Sequence, residues 1–122
     1  MIKSFALVGL GGAMGSILRF GISKWMASYH FISPVATFSI NIAGCFLMGL
    51  FVGMAEKHQW MQGNWLLLLT TGFCGGFTTF SAFAFENVSL LQKQLFSTAL
   101  IYSLLSVILG ILACKAGFSW VR

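Results

Sequence analysis

The sequence contains no aspartate and only two glutamates, Glu56 and Glu86, and charged residues of every kind make up 7% of its 122 residues. A soluble domain carries about a quarter, so water is excluded as the solvent for most of this chain's surface. With two lone carboxylates far apart, neither a general acid–base pair nor a nucleophilic triad assembles within one chain, and no enzyme is expected. Cys45, Cys74 and Cys114 are odd in number, lie in apolar stretches and lack paired metal-ligand spacing, so they read as small hydrophobes. The net charge of +5 comes from seven Lys and Arg scattered singly. They form no basic stripe, which removes nucleic acid as a partner.

What is present is apolar: 58% hydrophobic residues and a mean hydropathy of +0.92. A helical crossing of a bilayer needs about 20 such residues. Uncharged runs of that order or longer cover residues 25–55, 58–85 and 94–114, while the run 4–18 reaches a full crossing only if Arg19 is accepted inside the helix. The expected architecture is therefore an all-α integral membrane protein, one domain over 1–122, with four transmembrane helices near 4–26, 33–55, 64–86 and 95–117. Ser33 and Pro34 mark the second start, as an N-cap followed by proline at the first helical position. Trp25, Trp60, Trp65 and Trp120 fall at or beyond span ends, where indoles prefer the headgroup layer. A cleaved signal peptide fits the N-terminus less well, because the run is Gly-rich, has no clear cleavage site and leads into Arg19.

Basic residues should give orientation by their excess on one side. Lys3, Lys57, Lys115 and Arg122 fall on the side of the termini, and Lys24 and Lys93, with Arg19 if it faces that way, on the other. The bias is weak, and single and dual topology stay open on charge alone.

The third span carries the most chemistry, in Gly72-Phe73-Cys74-Gly75-Gly76-Phe77-Thr78-Thr79-Phe80-Ser81-Ala82-Phe83. Adjacent glycines followed by two threonines disfavour continuous helix, and backbone groups freed in lipid must find partners in protein, water or an ion. Broken helices at mid-depth are where channels and transporters place ion sites. The other reading is tight packing, since Gly72 and Gly76 form a GxxxG pair; spacing leaves break and packing equally open. Phe80 and Phe83 project from neighbouring positions on one face, and ring edges offer an anion weak attraction without a fixed charge. Ordinary packing gives the same spacing.

Asn41 is an amide in hydrocarbon, with Thr37 one turn before it, and must face protein or water. It serves either as interhelical glue or as a pore donor. Tyr102 and Ser106 share a face of the fourth span, a weak sign of a polar path. Arg19 either lines a cavity or snorkels to the interface. Glu86 reads by default as an interface marker. Gly11 with Gly15, and Gly49 with Gly53, read as close helix contacts. The run from Gly9 to Gly15 imitates a nucleotide loop only superficially, with Met14 where a glycine is required.

Taken together, Gly11-Gly12-Ala13-Met14-Gly15-Ser16-Ile17-Leu18-Arg19-Phe20, Thr37-Phe38-Ser39-Ile40-Asn41-Ile42-Ala43-Gly44 and Gly75-Gly76-Phe77-Thr78-Thr79-Phe80-Ser81 resemble the Fluc/CrcB fluoride channel family. The likeness covers essentially the whole chain, and three motifs in this order are specific where each alone is weak. It implies a fluoride-selective passive channel of the bacterial inner membrane that exports cytoplasmic fluoride and relieves its toxicity. The implied assembly is an antiparallel, dual-topology homodimer with two pores and a third helix broken near mid-membrane.

A structural sodium ion is implied at the dimer centre, held by backbone carbonyls that correspond to Gly75 and Thr78, with no organic cofactor. Phe80, Phe83 and Asn41 match pore positions, and Ser81, Thr37, Tyr102 and Ser106 extend the polar path. Glu86 corresponds to the acid ending the third helix and Arg19 to the basic residue of the vestibule. Gly110 departs from the pattern where some members carry a hydroxyl. Two alternatives differ in class. A proton-coupled small multidrug transporter needs a titratable carboxylate deep in the membrane, which neither glutamate supplies from its place in the sequence. A non-transporting assembly subunit needs only the packing.

Overall fold

The computed structural model describes residues Met1–Arg122 and contains helices but no strands. Four stretches are long and apolar enough to cross a membrane: Ile2–Ser28, Ser33–Lys57, Asn64–Gln92 and Phe96–Trp120. The first, second and fourth are single helices, α1 (Ile2–Ser28), α2 (Ser33–Lys57) and α6 (Phe96–Trp120). They run two or three residues beyond the expected spans, α2 through Lys57 and α6 to Trp120. Hydropathy locates the hydrocarbon core, whereas backbone hydrogen bonding continues through the headgroup layer.

The third crossing is built from pieces. A short 3₁₀ turn, Gln59–Met61, leads through Gly63 at φ 66 into α3 (Asn64–Leu67). A π-helical stretch follows over Leu68–Cys74, then α4 (Gly75–Phe77), and after Thr78 and Thr79 the chain resumes as α5 (Phe80–Gln92). Thr78 has ψ 158 and Thr79 φ −147 with ψ 118, extended backbone between two helices. The Thr79 hydroxyl starts α5 by accepting a hydrogen bond from the Ala82 amide at 3.2 Å, as an N-cap does.

The break thus falls just after the glycine pair, and both readings of this segment hold. Gly75 and Gly76 remain helical, and Gly72 and Gly76 serve contact with α1. A Cβ on Gly72 or Gly76 would meet the backbone of Gly11 or Gly12, and one on Gly11 or Gly15 would meet the third crossing at Leu68 or Phe73. The same device joins α2 to α6, where Gly49 and Gly53 face the Cys114 and Phe118 backbone and Gly117 faces Phe46. Lipid gives helices no hydrophobic reason to associate, so backbone-to-backbone approach through small residues supplies the dispersion contact that holds them.

Two local expectations are corrected. Ile32 occupies the cap position of α2, with φ −70 and ψ 151, so Ser33 is already helical and Pro34 follows within the first turn, where its missing N–H still leaves no acceptor unsatisfied. The Ser33 hydroxyl turns instead to a charged acceptor, donating to Glu86 Oε2 at 3.1 Å. Glu86 is the second correction. It is 6% exposed, enclosed by α2, α5 and α6, and does not mark an interface. Only 18 of the 122 residues are buried, so the outward faces of α1 and α6 in particular are apolar side chains open to their surroundings, as lipid requires.

Candidate functional site: a polar cavity at the helix break

Extended backbone inside a membrane helix leaves amides and carbonyls that must be satisfied locally. Asn41 of α2 does this for Thr79. Its Nδ2 donates to the Thr79 carbonyl at 3.0 Å, and its Oδ1 accepts from the Thr79 amide at 2.8 Å. The side chain thereby reproduces the pairing of a neighbouring strand, and one of its two N–H groups is left over. Gly44, almost a turn further along α2, is buried because the Thr78 methyl and the Phe77 ring lie against it.

Beside this clasp lies a cavity of about 250 Å³, open on one side, lined by Asn41, Cys45, Thr78, Thr79, Phe80, Phe83, Ser106 and Val107. Ser106 Oγ is buried and has no hydrogen-bond partner within the chain. The break positions both phenylalanines. Phe77, before it, is buried and stacks on Phe73, while Phe80 and Phe83, after it, have ring centroids 5.6 Å apart and belong to the cavity. Phe80 is 78% exposed, its ring uncovered by its own chain.

A polar trail leaves the cavity along α5 and α6. The Phe83 ring packs on Tyr102 with centroids 5.1 Å apart, and the Tyr102 hydroxyl donates to Glu86 Oε1 at 3.5 Å. Ser33 completes this group from α2, and Thr37, one turn on and 6% exposed, is buried nearby on that helix. Ser81 is exposed at the start of α5 with its hydroxyl 3.2 Å from that of Thr79. Gly110, a turn beyond Ser106, offers no hydroxyl and faces the Cys45 sulfur. Polar groups within 3.5 Å of one another thus run in short sets from the break toward the start of α2.

Arg19 belongs to the break and not to the cavity wall. Its Nε donates to the Gly76 carbonyl at 3.1 Å, so the side chain reaches across to α4 in place of snorkelling outward. Interrupting the helix leaves the Thr78 carbonyl with no hydrogen-bond donor from the chain and takes from the Gly75 carbonyl its usual helical partners, since the Thr78 amide bonds Cys74 and the Thr79 amide has gone to Asn41. No cluster of three or more His, Cys, Asp or Glu side chains exists that could hold a metal ion. Any cation here would depend on those carbonyls, which are the hard oxygen donors that such ions take.

Of the residues singled out from sequence, Asn41, Thr78, Phe80, Phe83 and Ser106 meet around one cavity, and Tyr102, Glu86 and Thr37 lie in the adjoining group. Ser81, Arg19 and Gly75 stand around the break. Sequence reading gave no role to Thr79 as partner of Asn41, to Ser33 as partner of Glu86, or to Cys45 and Val107 as cavity wall. It also passed over Asn87, which donates to the Phe83 carbonyl at 3.0 Å and accepts from Ser103 at 3.0 Å. The four-residue step from Phe83 to Asn87 was the available signal for that bond.

Four crossings, one interrupted at mid-depth beside a polar cavity, define a multi-pass membrane protein. A family model described as "CrcB-like protein, Camphor Resistance (CrcB)" matches residues 6–118. The fluoride-specific ion channel FluC of Azobacteroides pseudotrichonymphae is 43% identical over 119 residues, covering 97% of this chain and 95% of the relative. FluC of Flavobacterium psychrophilum is 44% identical over 117 residues, 95% and 94% of the two chains, and FluC 2 of Bacillus cereus is 48% identical over 112 residues, 91% of each. The chain belongs to the CrcB family, whose relatives carry the name of an ion channel and not of an enzyme.

Proposed function

We propose that the protein is a fluoride-selective passive channel that carries cytoplasmic fluoride out of the cell across a bacterial inner membrane. The carrying observation is the cavity at the break, where an unpaired Ser106 hydroxyl, the spare Asn41 N–H and the Phe80 and Phe83 rings converge in apolar surroundings. Fluoride is small and strongly hydrated, and a pore must replace its shell with donors that hold it weakly enough to let it leave. Amide and hydroxyl donors with ring edges meet that need. A passive pore moves an anion down its electrochemical gradient, which an inside-negative potential directs outward. Tyr102, Thr37, Ser81 and Glu86 extend the path, and Arg19, beside the break, supplies the positive charge of its vestibule.

The pore is completed in this reading by a second, antiparallel copy of the chain, giving a dual-topology homodimer with two pores. The open side of the cavity and the exposed Phe80 ring support that assembly, since a ring 78% exposed at the mouth of a polar cavity gains a wall from a partner. A structural sodium ion fits the same region. The Thr78 carbonyl is free of donors and the Gly75 carbonyl has lost its usual helical ones, and two copies would offer four such oxygens. Bound there, sodium supplies a fixed positive charge that offsets part of the cost of desolvating fluoride.

Fluoride efflux from liposomes loaded with potassium fluoride, followed by electrode, tests the function against chloride-loaded controls. Rapid fluoride release with chloride retained is expected. Retention of fluoride by liposomes containing assembled dimer would leave the family fold without the proposed transport.

A further inference from the structure

We infer that Arg19 is a positioning residue for the sodium site, acting through the Gly76 carbonyl and not through its charge. This rests on the sodium reading proposed above. Gly76 accepts a side-chain hydrogen bond from Arg19 Nε at 3.1 Å, as Thr79 does from Asn41, and it stands between Gly75, whose usual helical donors are engaged elsewhere, and Thr78, whose carbonyl has no donor. The bond removes one oxygen from the set open to a cation and fixes the turn that carries the other two.

α1 is shaped for that grip. Gly12 and Arg19 are seven residues apart and so share a face. Gly12 lies against Gly76 closely enough that no Cβ fits on Gly76, and Arg19 closes on the same residue two turns later. An Arg at this place brings a positive charge toward a cation site, an electrostatic disadvantage. A purely structural lock would not need that charge, so what the cation site draws from the residue is the fixed N–H donor. Groups that orient metal ligands without touching the metal typically change its affinity by about 10–100-fold.

Side-chain geometry separates donor from charge. Arg19→Gln places an amide nitrogen, a hydrogen-bond donor, at the position of Nε and removes the charge. Arg19→Lys keeps the charge and places a methylene at that position. Each protein is purified in sodium, confirmed as a dimer by size exclusion, exchanged into choline chloride, and its sodium content followed over time by elemental analysis. The parent and Arg19→Gln are expected to keep about one sodium per two chains, and Arg19→Lys to lose it at least about tenfold faster. Should Arg19→Lys fail to assemble, Arg19→Met, with a methyl at the Nε position, is measured in its place. Equal retention by the Gln and Lys variants, or loss from both, overturns the donor role. A parent that keeps no sodium overturns the ion itself, and the role of Arg19 with it.

Discussion

Asn41 holds Thr79 by both ends of its peptide group, donating to the carbonyl at 3.0 Å and accepting from the amide at 2.8 Å. The break in the third crossing depends on this pair, because extended backbone at this depth has no water to turn to. Replacing Asn41 by Ala strands one donor and one acceptor, and with about 1–3 kcal/mol for each buried group left unpaired, assembled protein should be destabilised by roughly 2–6 kcal/mol. Asn41→Asp keeps the acceptor for the Thr79 amide, loses the donor to the carbonyl and places a negative charge in the cavity. It should retain more of the fold than Asn41→Ala while abolishing fluoride flux. Thermal unfolding in detergent and liposome efflux check the two halves of this expectation separately.

Phe80 and Phe83 stand in different relations to the rest of the chain. Phe80 is 78% exposed, whereas Phe83 is packed on Tyr102 at 5.1 Å between centroids. Truncating an exposed side chain usually moves stability by no more than about 0.5 kcal/mol, and truncating a packed phenylalanine costs about 3–5 kcal/mol. Phe80→Ala in a single chain should therefore leave helix packing intact, and Phe83→Ala should lower the melting temperature. At least one of them should lose fluoride efflux from liposomes with assembly intact. Unaltered flux in both would remove the phenylalanines from the pore.

Much of this was legible from the sequence. Sparse charge and long apolar runs give four crossings, since the bilayer tolerates nothing else, while the Gly-Gly-Phe-Thr-Thr run leaves interruption and packing equally open and only the family resemblance implies the break. Two things were not legible. The helix ends lie beyond the apolar runs, because backbone bonding does not stop where hydropathy falls. The partners of polar residues come from other helices: Thr79 for Asn41, Gly76 for Arg19, Ser33 for Glu86. Sequence states that an amide or a cation in hydrocarbon must be paired, and only the crossing geometry states with what. Glu86 illustrates the point, since its nearness to a span end suggests an interface while three helices enclose it.

That enclosure gives Glu86 a testable signature. Ser33 donates to one carboxylate oxygen at 3.1 Å, and Tyr102, 9% exposed, approaches the other at 3.5 Å. Glu86→Gln retains an acceptor oxygen for Tyr102, and the Ser33 hydroxyl can reverse to accept from the new amide. Glu86→Ala takes away the carboxylate that receives the proton of the buried Tyr102 hydroxyl. The Gln variant should unfold within about 1 kcal/mol of the parent, and the Ala variant about 1–3 kcal/mol below it. A residue that merely marked the membrane surface would show neither cost.

The glycines divide into two groups by what a methyl would meet, and the division predicts which substitutions the fold survives. At Gly49 a Cβ runs into the Cys114 carbonyl, and at Gly117 into the Phe46 carbonyl; backbone atoms cannot swing aside as a side chain does. Accommodating alanine there requires α2 and α6 to separate, which forfeits the close dispersion contact along the whole crossing, the interaction that lipid cannot replace. Gly9 and Gly21, on the same kind of helix in the same solvent, have nothing within 4 Å of such a Cβ. Alanine at those two positions should be neutral or stabilise slightly, because it lowers the conformational entropy of the unfolded chain and favours helix by about 1 kcal/mol over glycine. Gly49→Ala and Gly117→Ala should sharply reduce the yield of folded protein on size exclusion, with Gly9→Ala and Gly21→Ala at the parent's level. Equal yields across all four would mean that α2 and α6 are not held by direct backbone contact.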